Sequence, residues 1–211
     1  MAVSVTSSRD IVRPEGAKSI FFRLLGKLIY RRVLALECNF ERQFTDISPK
    51  ASVDIRKLGA EDTSAFVDFR SGPDRSVFLA RLEQGHACYA ATYDDRIASV
   101  SWIALNSATL WLLNANFRLE RDELYVYDSY THPDFRGQRL QGQIFEFIRR
   151  EFTAAGIRRA ITFVVPENVA NLKSRARLGF TEIGMVRRVR LGSWVHFLSS
   201  ENAPVLKANR K

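Results

Sequence analysis

The sequence Thr131-His132-Pro133-Asp134-Phe135-Arg136-Gly137-Gln138-Arg139-Leu140-Gln141-Gly142 is a polar turn that separates a predicted strand from a predicted helix. Residues 124–130, just before it, are rich in aromatic and β-branched side chains, which favours a strand. After it, apolar residues recur at helical spacing, which predicts a helix buried along one face: Leu140, Ile144, Phe147, Ile148 and Phe152. A strand that runs into a helix N-terminus leaves backbone N–H groups unpaired, and together with the helix dipole these groups attract an anion. Because Arg136 and Arg139 add full positive charges, the turn predicts a phosphate-binding site.

The composition is that of a folded domain with an excess of positive charge. The 211 residues are 46% hydrophobic and 26% charged, which is enough for one sizeable core. An excess of 32 Lys and Arg over 23 Asp and Glu gives a net charge of +9, which favours anionic ligands or surfaces without choosing among them. The cysteines and histidines lack the spacing of a disulfide framework or a metal site: Cys38, Cys88, His86, His132 and His196. We therefore predict no metal and a reducing, cytoplasmic location.

The N-terminal region predicts an accessory helix ahead of the main domain. Residues 1–18 are expected to form a flexible tail without a signal-peptide core, and residues 19–52 an amphipathic helix and a connector. Basic residues fall on one stripe of this helix: Arg23, Lys27 and Arg31. Together with Arg32, these charges are too many for a comfortable membrane span. Two interpretations stay open, a helix docked on the domain or one that makes a peripheral contact with the inner face of a membrane through the segment from Phe21 to Leu36.

The rest of the chain predicts alternating strands and helices in one domain, residues 53–200, followed by a basic tail, residues 201–211. The predicted strands are residues 53–58, 86–93, 96–105, 124–130, 160–165, 181–191 and 193–198. The predicted helices are residues 61–69, 73–82, 140–152 and 168–178. Residues 106–122 are ambiguous. The strand–helix–strand unit formed by residues 124–165 predicts two parallel strands in one sheet, with a ligand at their carboxyl ends.

The order of these elements and two motifs resemble the GNAT acyltransferase superfamily over about residues 53–198. Thr131-His-Pro-Asp-Phe-Arg136-Gly137 is similar to the family's Val-x-Pro-x-x-Arg-Gly. Asn168-x-x-Asn171, followed by Leu178-Gly179-Phe180, is similar to the family's Asn-x-x-Ser/Ala and Leu-Gly-Phe. The resemblance implies an α/β (α+β) fold, a GNAT-type acyl-CoA N-acyltransferase fold whose mixed central sheet contains two splayed parallel strands.

The resemblance also implies an acyl-CoA donor, usually acetyl-CoA, and an amine acceptor, either a small molecule or a peptide, that attacks the donor directly in a ternary complex. The donor pyrophosphate would be held by the turn: Arg136, Gly137, Gln138, Arg139, Leu140, Gln141 and Gly142. The pantetheine arm would lie along strand residues and the neighbouring strand end: Ser129, Tyr130, Thr131 and Asn168. A backbone N–H freed where the strands splay would stabilise the oxyanion of the attacked thioester, by about 3 kcal/mol.

This sequence departs from the family pattern in two places. The family turn runs Arg/Gln-x-x-Gly-x-Gly/Ala, whereas Arg139 and Gln141 stand at the two small positions. We favour retained donor binding, because an arginine can replace amide contacts with charge, and the alternative is weakened or altered donor binding. Many family members carry a tyrosine acid where this chain has Arg175. An arginine cannot donate a proton at neutral pH, but it can pair with the developing thiolate, and the alternative is an exposed helix cation.

An attacking amine needs a proton acceptor, usually a carboxylate or a water molecule. Glu123 is the first candidate, because histone-acetylating relatives carry a glutamate at the matching distance before the arginine of the turn. Asp128 is the second candidate and lies deeper in the same strand. Each carboxylate also has a structural interpretation, a solvated strand end for Glu123 and a hydrogen-bonded loop or bulge residue for Asp128.

The sequence therefore predicts a cytoplasmic, acyl-CoA-dependent N-acetyltransferase. A nucleic-acid partner is not expected, because the basic residues are dispersed along the chain. Two alternatives stay open, a degenerate non-catalytic member that binds CoA or a protein partner, and a membrane-associated transferase of a bulkier acyl group or onto a lipid-linked acceptor. A homodimer is also left open, and no motif identifies the acceptor.

Overall fold

Eleven strands and four helices are described in the computed structural model, which covers residues 29–41, 52–70, 72, 74–200 and 202–208. The strands are β1 (Tyr30–Asn39), β2 (Asp54–Leu58), β3 (Ala87–Tyr93), β4 (Arg96–Ala104), β5 (Ser107–Leu110), β6 (Ala115–Arg118), β7 (Glu123–Thr131), β8 (Arg159–Val164), β9 (Thr181–Leu191), β10 (Trp194–Ser199) and β11 (Lys207–Ala208). The helices are α1 (Thr63–Phe69), α2 (Arg75–Glu83), α3 (Leu140–Ala154) and α4 (Val169–Arg177). The predicted α/β class with a mixed central sheet is confirmed.

The main sheet has eight strands in the order β10-β9-β1-β8-β7-β4-β3-β2. Only β7 and β8 are described as a parallel pair, and the other neighbours are antiparallel. Helix α3 packs on one face, where Leu140, Ile144 and Ile148 are buried with Leu124. Helices α1 and α2 cover part of the other face, where Phe66 and Phe78 pack against Trp102. The sheet is therefore enclosed between two apolar layers.

Strand β1 corrects the predicted N-terminal helix and domain boundary. Tyr30–Asn39 lies between β8 and β9 in the middle of the sheet, so the predicted helix is wrong from Tyr30 onward and a domain start at residue 53 is too late. The four consecutive residues 33–36 are all buried, as expected for a strand covered on both faces. Such a short apolar run cannot be told from a helix by its periodicity. The first part of the predicted helix, residues 20–28, lies outside the described residues.

The parallel strands β7 and β8 separate soon after they begin. They pair only at Glu123–Arg159, Leu124–Ala160 and Tyr125–Ile161. Beyond Ile161, β8 stays paired with β1 as far as Val164, while β7 continues along β4 to Thr131. The sheet therefore opens into a V whose apex is the Tyr125–Ile161 pair.

A bulge interrupts β7 inside this V. The pairing with β4 shifts register, so that Asp128 and Ser129 together stand opposite Ser101. Asp128 has a φ of 45°, in the left-handed region that side chains other than glycine rarely adopt. The bulge bends the strand next to the point where β8 leaves it.

A second, three-stranded sheet, in the order β11-β6-β5, forms from segments that the sequence left open or assigned to a tail. The ambiguous residues 106–122 contain the β5–β6 hairpin. Strand β11 pairs with β6, and Ala203 and Leu206 are buried. The described part of the predicted basic tail therefore packs on the domain, and the predicted limit at residue 200 is wrong. Within the described ranges, we find no helix that is both long and apolar enough to cross a membrane.

Candidate active site

The turn between β7 and α3 exposes a row of backbone N–H groups. One 3-10 turn, Pro133–Phe135, brings the chain to Gly137, with a φ of 80°, and Arg139, with a φ of 62°. The first amides of α3 that bond within the chain are those of Gly142 and Gln143, both to the Arg139 carbonyl. Among the described residues, the amides of residues 137–141 find no protein acceptor. Left-handed residues in such a turn gather N–H groups into a concave anion-binding site, which is the chemistry predicted for this segment.

Two guanidinium groups stand beside these amides. Arg136 and Arg139 are exposed, and neither forms an ion pair within the part of the chain that the structure describes. Arg139 is also the residue before the first turn of α3, and it adopts the left-handed conformation that a glycine would take there. The substitution therefore keeps the backbone shape of the turn and adds a charge.

Gln141 binds the sheet. Its Nε2 donates to the Ser99 hydroxyl and to the Val100 carbonyl at 2.8 Å, and to the Tyr130 carbonyl at 3.2 Å. These contacts tie the first turn of α3 to β4 and β7. The larger residue at a position where the family prefers a small one has thus become a structural link between the helix and the strands.

The end of β7 offers backbone groups to the open V. The His132 N–H donates to the Ala98 carbonyl, so the backbone groups of His132 and Tyr130 face β4. Because alternate residues of a strand direct their backbone groups to opposite edges, the N–H and C=O of Thr131 face the side that β8 has left. A ligand in extended conformation could pair with them there.

Arg175 on α4 reaches across the V to β7. Its Nη2 donates to the Ser129 hydroxyl at 2.9 Å, and Ser129 in turn shares a 2.8 Å hydrogen bond with Ser101. The side chain is buried, its Nε has no hydrogen-bond partner, and the guanidinium lies over the Phe180 ring. Burial lowers the pKa of Arg175 to about 10, so the group is still a cation at neutral pH. The alternative of an exposed helix cation is wrong, because Arg175 is buried beside the bulge.

Asn168 begins α4 at the carboxyl end of β8. Its side-chain oxygen accepts from the Asn171 N–H at 3.1 Å, and its own N–H donates to the Val165 carbonyl. The motif Asn168-x-x-Asn171 is therefore a helix cap in this chain. Asn168 itself is exposed at the mouth of the V, on the arm opposite Thr131.

The carboxylate of Asp128 is held by two arginines. Nη1 of Arg70 lies 2.6 Å from Oδ1, and Nη1 of Arg81 lies 2.6 Å from Oδ2. Each guanidinium also lies over an aromatic ring. Arg70 lies over the ring of Tyr130, and Arg81 lies over the ring of Trp102. Although burial opposes ionisation, hydrogen bonds from Arg81 and Arg70 leave the pKa of Asp128 below its usual value. A carboxylate held in this way is a weak proton acceptor.

Glu123 lies at the start of β7, below the apex of the V. Its Oε1 lies 2.6 Å from Nη2 of Arg159, its partner in the parallel pairing, and its Oε2 accepts from the Glu120 N–H at 2.8 Å. Arg159 also contacts Glu37 of β1 at 3.2 Å. Glu123 is buried and ion-paired, so its interpretation as a solvated strand end is wrong.

A cleft of about 890 Å³ opens beside Glu123. Glu37, Glu123, Arg159 and Ile161 line it, together with residues of the β5–β6 hairpin and residues 202–205 and 207. His86 also lines it and has its Nδ1 2.5 Å from the Tyr127 hydroxyl. Burial, helped by the charge of Arg81, lowers the pKa of His86, so its ring is neutral at neutral pH. The cleft therefore adjoins the apex of the V and carries both carboxylates and a neutral imidazole.

The structure thus brings most of the predicted site residues to one region and adds others that sequence reasoning missed. Residues 129–142, Asn168 and Arg175 surround the V, whereas Glu123 lies below its apex. The missed residues belong to no motif: Arg70 follows α1, Arg81 lies on α2, Ser101 lies on β4, and His86 precedes β3. No group of three or more His, Cys, Asp or Glu side chains that could hold a metal occurs within the ranges that are described.

Comparison with known proteins identifies the fold. No family model matches the sequence, and no curated protein matches it. Among solved structures, a GNAT-family acetyltransferase from Colwellia psychrerythraea superposes with a TM-score of 0.55 at 16% identity, covering 86% of this chain and 62% of the other. A GNAT-family protein from Novosphingobium aromaticivorans gives 0.50 at 16% identity, with 75% and 65% covered. The aminoglycoside N-acetyltransferase AAC(6')-Iy, solved with the bisubstrate analogue CoA-S-monomethyl-acetylneamine, gives 0.51 at 18% identity, with 63% and 92% covered.

These likenesses confirm the predicted resemblance at the level of the fold. The chain has the fold of the GNAT acetyltransferases, and its parallel pair β7–β8 opens within the main sheet. It spans less than two thirds of the length of the first two of these structures, 62% and 65%.

Proposed function

We propose that the protein is an acyl-CoA-dependent N-acyltransferase that transfers an acetyl group from acetyl-CoA to an amine by direct attack in a ternary complex. The observation that carries the proposal is the row of amides at residues 137–141, which includes Arg139, follows Arg136 and comes after the end of β7, the strand that parts from β8. This arrangement suits a ligand with a pyrophosphate at one end and an extended, amide-containing arm at the other. Acetyl-CoA is such a ligand, and it supplies an acyl group activated as a thioester.

The residues of the turn would bind the negatively charged pyrophosphate of the donor. Backbone N–H groups of residues 137–141 would bind the pyrophosphate oxygens, and Arg136 and Arg139 would neutralise their charge. Thr131, with Ser129 and Tyr130 on the same strand, would orient the pantetheine arm along β7, and Asn168 would limit its movement from the opposite arm. Gln141 would act indirectly, by fixing α3 against the strands through Val100 and Tyr130.

Arg175 would stabilise negative charge at the reacting thioester. It is buried beside the bulge, it remains a cation at neutral pH, and one of its nitrogens has no partner. A cation in a site with little water acts more strongly on developing charge than it would in solution. Asp128 would position the bulge instead of accepting a proton, because Arg70 and Arg81 hold its carboxylate.

The cleft would bind the acceptor amine. Glu123, Arg159 and Ile161 line it, and Ile161 also belongs to the last pair at the apex of the V. Glu123 and Glu37 would attract the ammonium form of the amine. Glu123, which pairs with one arginine where Asp128 pairs with two, would take a proton from the nitrogen before it attacks. The free amine would then form the C–N bond as the C–S bond breaks and the CoA thiolate leaves. The acceptor is a small molecule or a peptide terminus on this proposal. Cytoplasmic location is part of the same proposal, and the buried thiols Cys38 and Cys88 agree with a reducing compartment.

Calorimetry with CoA and acetyl-CoA tests donor binding. We expect Arg136→Ala/Arg139→Ala to weaken binding by about tenfold or more, because charge-assisted contacts are worth about 1.5–3 kcal/mol each and exposed ones less. Arg96→Ala/Arg177→Ala removes two other exposed arginines and is the control. Turnover is then measured as thiol release from acetyl-CoA with a panel of amines. Absence of CoA binding, or equal binding by the two double variants, contradicts the proposal, whereas binding without turnover supports the non-catalytic alternative.

A further inference from the structure

The strand register places five polar side chains on one face of the second sheet. Ser107 stands opposite Arg118 and Thr109 opposite Asn116 in the β5–β6 pairing, and Lys207 of β11 also stands opposite Asn116. Residues directly opposite each other in a sheet direct their side chains to the same face. The Thr109 hydroxyl accordingly donates to the side-chain oxygen of Asn116 at 2.8 Å. All five of these polar residues line the cleft beside Glu123.

Two cations stand on this polar face. Arg118 and Lys207 are exposed, and neither forms an ion pair within the described ranges. They are diagonal neighbours, since Lys207 stands opposite Asn116, two residues before Arg118. Diagonal neighbours in a sheet lie roughly 7–8 Å apart, so one anion can reach both side chains. Glu120 also lines the cleft on this side, and the three groups together leave an excess of one positive charge.

The sign of the charge is reversed on the main sheet. Glu123 and Glu37 share one guanidinium, that of Arg159, at 2.6 Å and 3.2 Å. Two carboxylates and one cation leave an excess of one negative charge. The same cleft therefore has a negative region on β1, β7 and β8 and a positive region on the second sheet.

The two regions are close enough to contact one small molecule. The Glu120 N–H donates to the Glu123 carboxylate at 2.8 Å, and Arg118 lies two residues, or roughly 7 Å of extended chain, before Glu120. The cleft volume of about 890 Å³ lies within the range of small-molecule sites, about 300–1,000 Å³. A small ligand with opposite charges at its two ends therefore matches the cleft in size and in charge.

We propose that the cleft selects an amine that also carries an anionic group, a carboxylate or a phosphate, several bonds from the nitrogen. The ammonium group lies beside Glu37 and Glu123, and Arg118 and Lys207 bind the anionic group through charge-assisted hydrogen bonds. A diamine is disfavoured, because its second cation meets the like charges of Arg118 and Lys207. This inference rests on the proposed function, since it defines the acceptor for the cleft to which the amine was assigned.

Binding to the full-length protein without CoA is the first test. Ligand-observed NMR compares three amines of similar length: ε-aminohexanoate, pentylamine and cadaverine. We expect ε-aminohexanoate to bind about tenfold more tightly than pentylamine, because it adds contacts between charged groups. Cadaverine should bind less tightly than ε-aminohexanoate. Aminobutyl phosphate should also bind more tightly than pentylamine, and the larger of the two gains identifies the anionic group.

Variants of the cleft locate the two charges. Arg118→Gln/Lys207→Gln should lower affinity for ε-aminohexanoate by about tenfold and leave that for pentylamine unchanged. Arg118→Glu/Lys207→Glu should reverse the preference, so that cadaverine binds more tightly than ε-aminohexanoate. Glu37→Gln should weaken ε-aminohexanoate and pentylamine by the same factor, because both carry the ammonium group. Lys57→Gln/Arg96→Gln removes an exposed lysine and an exposed arginine outside the cleft and should bind like the parent protein.

Equal affinities of the parent protein for ε-aminohexanoate and pentylamine would overturn the proposal. So would tighter binding of cadaverine than of ε-aminohexanoate, a preference that survives in Arg118→Gln/Lys207→Gln, or no binding of any of these amines. Thiol release from acetyl-CoA separates this proposal from the proposed function. If pentylamine and ε-aminohexanoate have equal kcat/KM, acyl transfer stands and the anion site is wrong. If ε-aminohexanoate binds as expected but no amine releases thiol, the anion site stands and acyl transfer is wrong.

Discussion

Arg81 on helix α2 holds Asp128 at the bulge of β7, with Nη1 of the arginine 2.6 Å from Oδ2 of the carboxylate. Arg70, at the end of α1, binds the other oxygen at the same distance. A residue in the left-handed region is strained, at a cost of about 1–2 kcal/mol, and needs such support from its surroundings. The two arginines thus connect the helices on one face of the sheet to the point where the V opens.

The first prediction concerns the stability of this cluster. Asp128→Asn leaves two largely buried guanidinium groups without their anion, and we expect the free energy of unfolding to fall by about 2–4 kcal/mol. Urea unfolding followed by fluorescence measures it. Glu167→Gln removes one partner of an exposed ion pair and is the control, with an expected loss below about 1 kcal/mol. Equal losses in the two variants would show that the cluster adds no special stability.

The same carboxylate predicts acid sensitivity. The pKa of Asp128 is lower in the folded protein than in the unfolded chain, where an aspartate titrates near about 3.9. The unfolded state therefore binds the proton first as the pH falls, so the stabilisation is complete above that value and is lost as the pH falls through the folded pKa. Unfolding measured from pH 6 downward should show a loss of stability below about pH 4 that is reduced in Asp128→Asn. A parallel pH dependence of the two proteins would contradict this assignment.

The second prediction concerns the effect of His86 on stability, which falls in a different pH range from that of Asp128. Burial and the charge of Arg81 lower the pKa of His86, whereas a histidine in the unfolded chain titrates near about 6.5. The unfolded state again binds the proton first, so stability falls as the pH drops from about 6.5 toward the folded pKa of His86. His86→Gln should flatten the stability profile in this window and leave the change below about pH 4 intact. If the profile of His86→Gln follows that of the parent protein between pH 7 and about pH 5, the prediction is wrong.

The third prediction separates the shape of the turn from its charge. Arg139 is strained, because it adopts a left-handed backbone conformation with a φ of 62°. Arg139→Gly removes this strain, which stabilises the folded state, but it also increases the conformational entropy of the unfolded chain, which destabilises the folded state. The two effects nearly offset, so we expect the free energy of unfolding to change by less than about 1 kcal/mol. On the proposed function, affinity for CoA should nevertheless fall, by about three- to tenfold, because a cation is lost next to the amides proposed to bind its phosphates. Calorimetry with CoA, and with dephospho-CoA to show which phosphate is affected, gives the result.

Unchanged CoA affinity in Arg139→Gly would mean that Arg139 supplies only backbone shape. Gly137→Ala is the complementary variant, because it keeps all charges but places a side chain at a φ of 80°. Gly137→Ala should lower stability and alter the geometry of the amides. The factor by which it weakens CoA binding should therefore be the same at low and at high ionic strength. That contrast distinguishes charge from conformation in the same turn.

The sequence predicted those parts of the structure whose conformation is determined by residues close together in the chain. The turn from Thr131 to Gly142, the βαβ unit and the closing strands depend on local signals, namely periodicity, glycines and a helix cap. The separation of β7 and β8 was also predicted, through the resemblance and not through the residues themselves. The structure confirms the separation, since the pairing stops at Tyr125 and Ile161.

Features that depend on distant partners were missed. β1 is a strand because β8 and β9 lie on either side of it, and the buried run of residues 33–36 carries no sign of those partners. The same holds for Asp128, whose two arginines come from elements far away in sequence, and for Gln141, whose side chain binds strand carbonyls. The polar face of the second sheet likewise became visible only when strands β5, β6 and β11 were paired.

The last prediction tests Arg175 as a group that acts on the reaction and not on the fold. Arg175 is buried, its Nε has no hydrogen-bond partner, and burial lowers its pKa to about 10. Its charge therefore costs folding free energy. Arg175→Met keeps a similar length and removes that charge, so we expect the free energy of unfolding to be unchanged or higher. If acyl transfer is the activity, kcat should fall by a factor on the order of 100, with little change in the KM for acetyl-CoA.

The control for Arg175 is Ser129→Ala, which removes the hydroxyl that accepts from Nη2 but leaves the cation in place. We expect a smaller loss in kcat for Ser129→Ala, because the charge proposed to act on the reaction is kept and only the hydroxyl that positions it is lost. A loss of less than about threefold in Arg175→Met, or a clear loss of stability, would make Arg175 a structural residue that bridges α4 and β7.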